Sequence, residues 1–124
     1  MPLVLITHSL PKKNILRNAT SLDAVFSSGK KLSHYSCSLY YLSVDSNKDF
    51  RVAFSVGKKT HNLAVSRNKI KRLMREAFRL NIEQYHIVSC DLVFVFFGQD
   101  IPSYEEIENS IKSLLLSLSK TIKS

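Results

Sequence analysis

From Phe50 to Val56 the chain alternates, with Phe50, Val52, Phe54 and Val56 apolar and Arg51 and Ser55 polar. A period of two predicts a strand with one face on a core and Arg51 and Ser55 on the other. The period then lengthens. Between Leu63 and Leu80, residues Ile70, Leu73, Met74 and Ala77 gather on one side at about 100° per residue, which predicts an amphipathic helix. Asp91 to Phe97 (DLVFVFF) is a nearly unbroken apolar run, the mark of a central strand covered on at least one face. Upstream, Tyr35 to Val44 is rich in strand formers. The polar stretch Asp45-Ser46-Asn47-Lys48-Asp49 links it to the Phe50 strand, so the two are expected to pair as a hairpin.

The chain opens and closes with helical signals. Thr20-Ser21-Leu22-Asp23 offers a hydroxyl cap with an acid three residues on, and Leu22, Val25 and Phe26 follow at helical spacing before Gly29. Ser103-Tyr104-Glu105-Glu106 is a capping box behind Pro102, and Ile107, Ile111, Leu114, Leu115 and Leu118 continue it with helical period. Residues 1–17 lack periodicity, and Pro11 blocks a helix through them, so they read as an N-terminal arm ahead of a single domain over 18–124. The order is helix, strand, strand, helix, strand, helix, with room for one short extra strand before the hairpin. It suits an α+β two-layer sandwich.

Length agrees with one domain: 124 residues, 44% hydrophobic, with seven Phe and five Tyr, can build one ordered core. The early apolar run Leu3 to Ile6 is too short for a membrane span or a secretory signal, so a cytoplasmic location is expected. Cys37 and Cys90 stand far apart without CxxC spacing, and are expected to be reduced core thiols.

Charge changes the picture most. The net charge is +8, and the thirty residues Phe50 to Arg79 account for all of it. They hold nine cations (Arg51, Lys58, Lys59, Arg67, Lys69, Lys71, Arg72, Arg75 and Arg79) against Glu76 alone. On the predicted helix Arg67, Lys71, Arg75 and Arg79 recur every four residues. Like charges at that spacing repel, so folding does not ask for them, and a polyanionic partner does. Arginine forks grip phosphate oxygens in pairs, and Lys58 and Lys59, at the end of the strand, extend the same footprint. Tyr40 and Tyr41 are candidates either for base stacking or for the core. Replacing Arg67 or Lys71 by Ala is expected to weaken nucleic-acid binding and leave the fold intact.

Protein-borne catalysis finds no support. His8, His34, His61 and His86 form no HExxH or His/Cys/Glu cluster, and three glycines are too few for a phosphate-cradling loop. A stand-alone basic RNA- or DNA-binding module remains open, although Ala64, Val65 and Ser66 give a groove-reading helix start little to read with. A membrane-surface role fits poorly, because Phe78 is the lone aromatic on the helix and the apolar face is needed by the sheet.

Ser66-Arg67-Asn68-Lys69-Ile70-Lys71-Arg72-Leu73-Met74-Arg75-Glu76-Ala77-Phe78-Arg79 resembles the RNR signature helix of the bacterial ribonuclease P protein component. The likeness extends to Arg51-Val52-Ala53-Phe54-Ser55-Val56-Gly57-Lys58-Lys59 in register, and more loosely over residues 11–118. The resemblance implies a ribonuclease P protein-like sandwich with a left-handed βαβ crossover. It also implies a function: one protein per catalytic RNA of ribonuclease P, binding that RNA and the 5′ leader of precursor tRNA. The RNA, with Mg²⁺ held mainly by that RNA and the substrate, hydrolyses the phosphodiester that joins the leader to the tRNA, and no protein residue is assigned a catalytic or metal-binding role. Position by position, Phe26, Tyr40, Arg67, Asn68, Lys71 and Arg75 resemble leader-binding residues. Lys58, Lys59, Lys69 and Arg72 resemble those facing the catalytic RNA. The chain departs from the pattern at Lys69, which replaces an Arg, and at Leu22, where an aromatic is common; the first loses a bidentate fork and the second a stacking surface.

Overall fold

A computed structural model describes residues 10–44 and 49–122. Its elements are α1 (Ala19–Ser28), β1 (Lys30–His34), β2 (Cys37–Ser43), β3 (Arg51–Val56), α2 (Ala64–Asn81), β4 (Cys90–Phe96) and α3 (Tyr104–Ile122), with 3-10 turns at Lys12–Asn14 and Ile82–Tyr85. The architecture is α+β, as the periodicity predicts. The four strands form one mixed sheet in the order β1-β2-β4-β3. The apolar β4 is central, antiparallel to β2 and parallel to β3. Thus β3, α2 and β4 make a βαβ unit with α2 as the crossover.

The expected hairpin is not where the sequence places it. β2 does not pair with β3; β4 lies between them, and β2 pairs instead with β1, Lys31 opposite Tyr40 and Leu32 opposite Leu39. The short extra strand is therefore the true hairpin partner. Its turn, Tyr35-Ser36, carries no Gly or Asn, and Tyr35 takes the left-handed conformation at φ 52° with a bulky side chain, so the usual turn signal is missing. The polar turn over 45–48 lies outside the described residues.

On one face of the sheet, Leu39, Tyr41, Val52, Val56, Leu92, Phe94 and Phe96 pack with Ile70, Met74, Ala77 and Phe78 of α2 and with Ile107, Ile111, Leu114, Leu115 and Leu118 of α3. Phe78 is the hinge pin of this layer: its ring stands 5.5 Å from Phe50, 5.8 Å from Phe54 and 5.6 Å from Phe94, all edge to face. Such pairs add about 0.5–1.5 kcal/mol each beyond burial. The opposite face is covered only in part. There α1 lies over β2 and β4, where Val25, Leu16 and Val93 form a small second cluster with Leu22, Tyr40, Leu42, Ala53 and Val95 around it.

Both outer helices are capped by side chains. α3 has the expected box, Ser103 Oγ accepting from the Glu106 amide at 3.1 Å and Glu106 accepting from the Ser103 amide at 2.9 Å. α1 starts earlier than the Thr20 signal: Asn18 Oδ1 accepts from the amides of Thr20 and Ser21, at 2.8 and 3.3 Å. Asn caps as well as Ser and better than Thr, and Asn18 immediately precedes the first helical residue, whereas Thr20 and Ser21 lie inside the helix. At the far end, Gly29 passes so close to β2 that a Cβ would stand 2.6 Å from the Tyr41 carbonyl oxygen.

Residues 1–9 of the expected arm, His8 included, lie outside the described residues. Residues 10–17 are docked. Ile15 bridges to Val52, Leu16 N–H donates to the Val52 carbonyl at 2.9 Å, and the buried Asn14 amide donates to the Phe50 carbonyl at 2.8 Å. This segment satisfies part of the otherwise free edge of β3.

Candidate nucleic-acid interface

α2 is fixed by its apolar side, and its cations are sorted by the geometry of the helix. Taking Ile70 as facing the core, Arg67, Lys71 and Arg75 stand at about 60°, 100° and 140° around the axis, on the same side as Phe78 at about 80°. Phe78 meets Phe50 and Phe54, so this flank borders β3. On the other side, Leu73 packs into the core and Glu76 acts on the Tyr104 phenol of α3. Lys69 belongs to that second flank, while Asn68 and Arg72 occupy the exposed crest between the two. Arg67, Lys71 and Arg75 thus form one row; Asn68, grouped with them by resemblance, stands at its outer border.

The loop ahead of α2 is tied to the helix. Gly57 to Thr60 turns back on itself through the His61 amide, which donates to the Gly57 carbonyl at 3.0 Å, leaving Lys58 and Lys59 exposed at the tip. His61 is 7% exposed, and its Nε2 donates to the Gly98 carbonyl at 2.8 Å. Its own carbonyl accepts from the Arg67 guanidinium at 2.9 Å. Lys58, Lys59 and Arg67 are therefore held in one frame. It also qualifies the expectation for Arg67→Ala, since that side chain helps fasten the loop; Lys71 makes no such bond among the described residues. His61 was an unremarkable histidine in sequence, because its partner Gly98 lies 37 residues away.

Two of the nine cations are spent internally. Arg51 grips the buried Asp91 with both arms, Nε at 2.8 Å and a terminal nitrogen at 2.7 Å, across the parallel β3–β4 register. The hydrogen bonds to Asp91 hold the Arg51 guanidinium above its ordinary pKa against the opposing effect of burial. Arg79 pairs with Glu76 on its own helix. The remaining seven have no carboxylate partner among the described residues. The field that the sequence implies is thus smaller than its count, and open.

Beside α1 the half-covered sheet face adds an aromatic pair. Phe26, 46% exposed, meets the partly buried Tyr40 edge to face at 4.9 Å. Tyr41 points the other way into the core at 6% exposure, so the two tyrosines that sequence left open divide by the alternation of the strand. Ala53, Ser55 and Val95 on the same face as Tyr40 are only partly covered. Leu22 is half-buried in the cluster beneath α1 and offers no ring. No three His, Cys, Asp or Glu side chains gather to hold a metal ion among the described residues, and no described helix is long and apolar enough to cross a membrane.

The family model described as Ribonuclease P matches residues 10–119 of the chain. The ribonuclease P protein component of Desulfotalea psychrophila is 35% identical over 108 residues, which cover 86% of this chain and 88% of the relative. That of Clostridium kluyveri is 39% identical over 103 residues, covering 82% and 89%. The solved RNase P protein of Staphylococcus aureus superposes with a TM-score of 0.70 at 26% identity, covering 86% of this chain and 95% of that one. The Thermotoga maritima RNase P protein, at 23% identity and a TM-score of 0.70 over 82% and 94% of the two chains, shares the fold.

Proposed function

This chain belongs to the ribonuclease P protein family, and from that premise we propose that it binds the catalytic RNA of ribonuclease P and the 5′ leader of precursor tRNA, promoting endonucleolytic removal of the leader. The observation that carries the reading is the row Arg67, Lys71 and Arg75, without a carboxylate partner among the described residues, on the flank of a core-anchored helix that borders β3, an edge strand of the sheet whose other face is only half covered. Single-stranded RNA alternates phosphates and bases, and this surface offers cations and an aromatic pair for each in turn.

In this reading Arg67, Asn68, Lys71 and Arg75 hold leader phosphates, and Phe26 with Tyr40 stacks leader bases, each stack contributing about 1–3 kcal/mol. Lys58, Lys59, Lys69 and Arg72 face the catalytic RNA. Their placement on the loop tip, crest and opposite flank allows the protein to touch two RNAs at once. Lys69 contributes a point charge where an arginine would contribute a fork. The protein positions and neutralises; Mg²⁺ and the reacting phosphate belong to RNA and substrate, and no step runs through an ion held by the chain. A cytoplasmic ribonucleoprotein with one protein per RNA completes the proposal.

Reconstitution tests it. At low Mg²⁺, adding the protein to a cognate catalytic RNA should raise the rate of precursor tRNA cleavage at the leader junction. No stimulation at any protein-to-RNA ratio would reject the reading.

A further inference from the structure

We propose that Lys31 on β1 is a further contact to leader phosphate, so that the bound strand crosses the open sheet face from α2 to the β1 edge. The inference rests on the leader-binding reading above and names a residue outside the basic window. Lys31 stands directly opposite Tyr40 in the β1–β2 register, and its ammonium lies 5.5 Å from the centroid of the Tyr40 ring. The same ring is braced by Phe26. Lys31 is exposed and has no carboxylate partner among the described residues.

β1 and β3 are the two edges of the sheet, about 14 Å apart at about 4.8 Å per strand spacing. Cations therefore stand at both edges of the sheet, the α2 row along β3 and Lys31 on β1, with the aromatic pair between them. A strand whose bases stack on Phe26 and Tyr40 has backbone on either side of them, and meets a positive group at each end of the path.

The plain alternative is that a lysine on an edge strand only discourages strand addition. That role belongs equally to Lys30, which is also exposed. Successive side chains point to opposite faces, and Lys30, opposite the core residue Tyr41, projects toward the other side of the sheet. Lys30 is thus a neighbour of equal charge on the wrong face.

The experiment measures binding of precursor tRNA, with and without leader, to the complete complex of protein and catalytic RNA. Lys31→Ala should weaken leader-bearing substrate about fivefold at 0.1 M salt and lower the log–log salt slope by about 0.7, the share of one single-strand phosphate contact. Lys31→Arg should restore both, Lys30→Ala should change neither, and leaderless tRNA should be indifferent to all three. Equal losses from Lys30→Ala and Lys31→Ala, or an equal loss on leaderless tRNA, would overturn the proposal. So would no loss from Lys31→Ala while Lys71→Ala still weakens leader binding. If Lys71→Ala is silent as well, the leader-binding reading itself falls.

Discussion

Arg51, Arg67 and Lys71 count alike in a sequence, and the structure gives them three different tasks. Arg51 neutralises Asp91, which is 2% exposed, and removing it strands a buried charge. Because the Arg51 side chain keeps 31% of its exposure, Arg51→Ala should cost about 2 kcal/mol, below the range for fully buried pairs. Urea denaturation checks this, and an unchanged midpoint would mean that Asp91 finds another partner. Arg67 divides itself between its bond to the His61 carbonyl and the open flank. Arg67→Ala should therefore lower the melting temperature by about 4 °C, the equivalent of one hydrogen bond of about 1 kcal/mol, whereas Lys71→Ala should leave it unchanged and weaken only RNA binding. None of this division was legible in sequence, since it depends on partners 40 and 6 residues away that only the register and the loop bring near. The cysteines were legible. Burial pushes the Cys37 thiol up to about 11, partly offset by Ser110, and raises Cys90 as well. At pH 8 neither should react with a disulfide reagent until guanidinium unfolds the chain, when both should; a fast thiol in the native protein would contradict the buried placement.

Elements with strong periodicity read directly from the chain: the β3 alternation, the α2 stripe and the apolar β4 run occur with ends shifted by about one residue, and the capped α3 runs past its last apolar position, Leu118, to Ile122. What failed was pairing. Sequence neighbours usually make hairpins, but β4 inserts between β2 and β3, and β1, with the polar sequence KKLSH and a Tyr-Ser turn, gave too weak a signal to claim β2 first. Likewise the α1 cap is Asn18, ahead of the Thr20 hydroxyl that the capping pattern points to, which lies inside the helix. Asn18→Ala should cost about 1 kcal/mol. Since α1 carries Phe26, frayed α1 should also reduce leader affinity, which a paired measurement of melting and binding would show. Phe78 is the other element-scale test. Phe78→Ala removes the ring that joins α2 to Phe50, Phe54 and Phe94, and should cost about 3–5 kcal/mol without touching a single cation.

For the molecule as a whole, composition foretold a basic surface, and the fold decides how much of it faces solvent and in which direction. Among the described residues, seven of the nine cations between Phe50 and Arg79 have no carboxylate partner, and they lie on one helix and the loop that leads into it, while the helix is anchored by apolar contacts that need none of them. That separation of fold from charge is what permits a binding role. If Arg67, Lys71, Arg75 and Lys31 touch leader phosphates, log affinity for the leader should fall against log salt with a slope near −3, about 0.7 per contact. The central claim is that this open flank and the aromatic pair beside it hold the leader. Its most direct measurement is the affinity of the assembled complex for precursor tRNA with and without its leader, at fixed salt. The account predicts tighter binding when the leader is present, with the advantage shrinking as salt rises; equal affinity for the two substrates would contradict it.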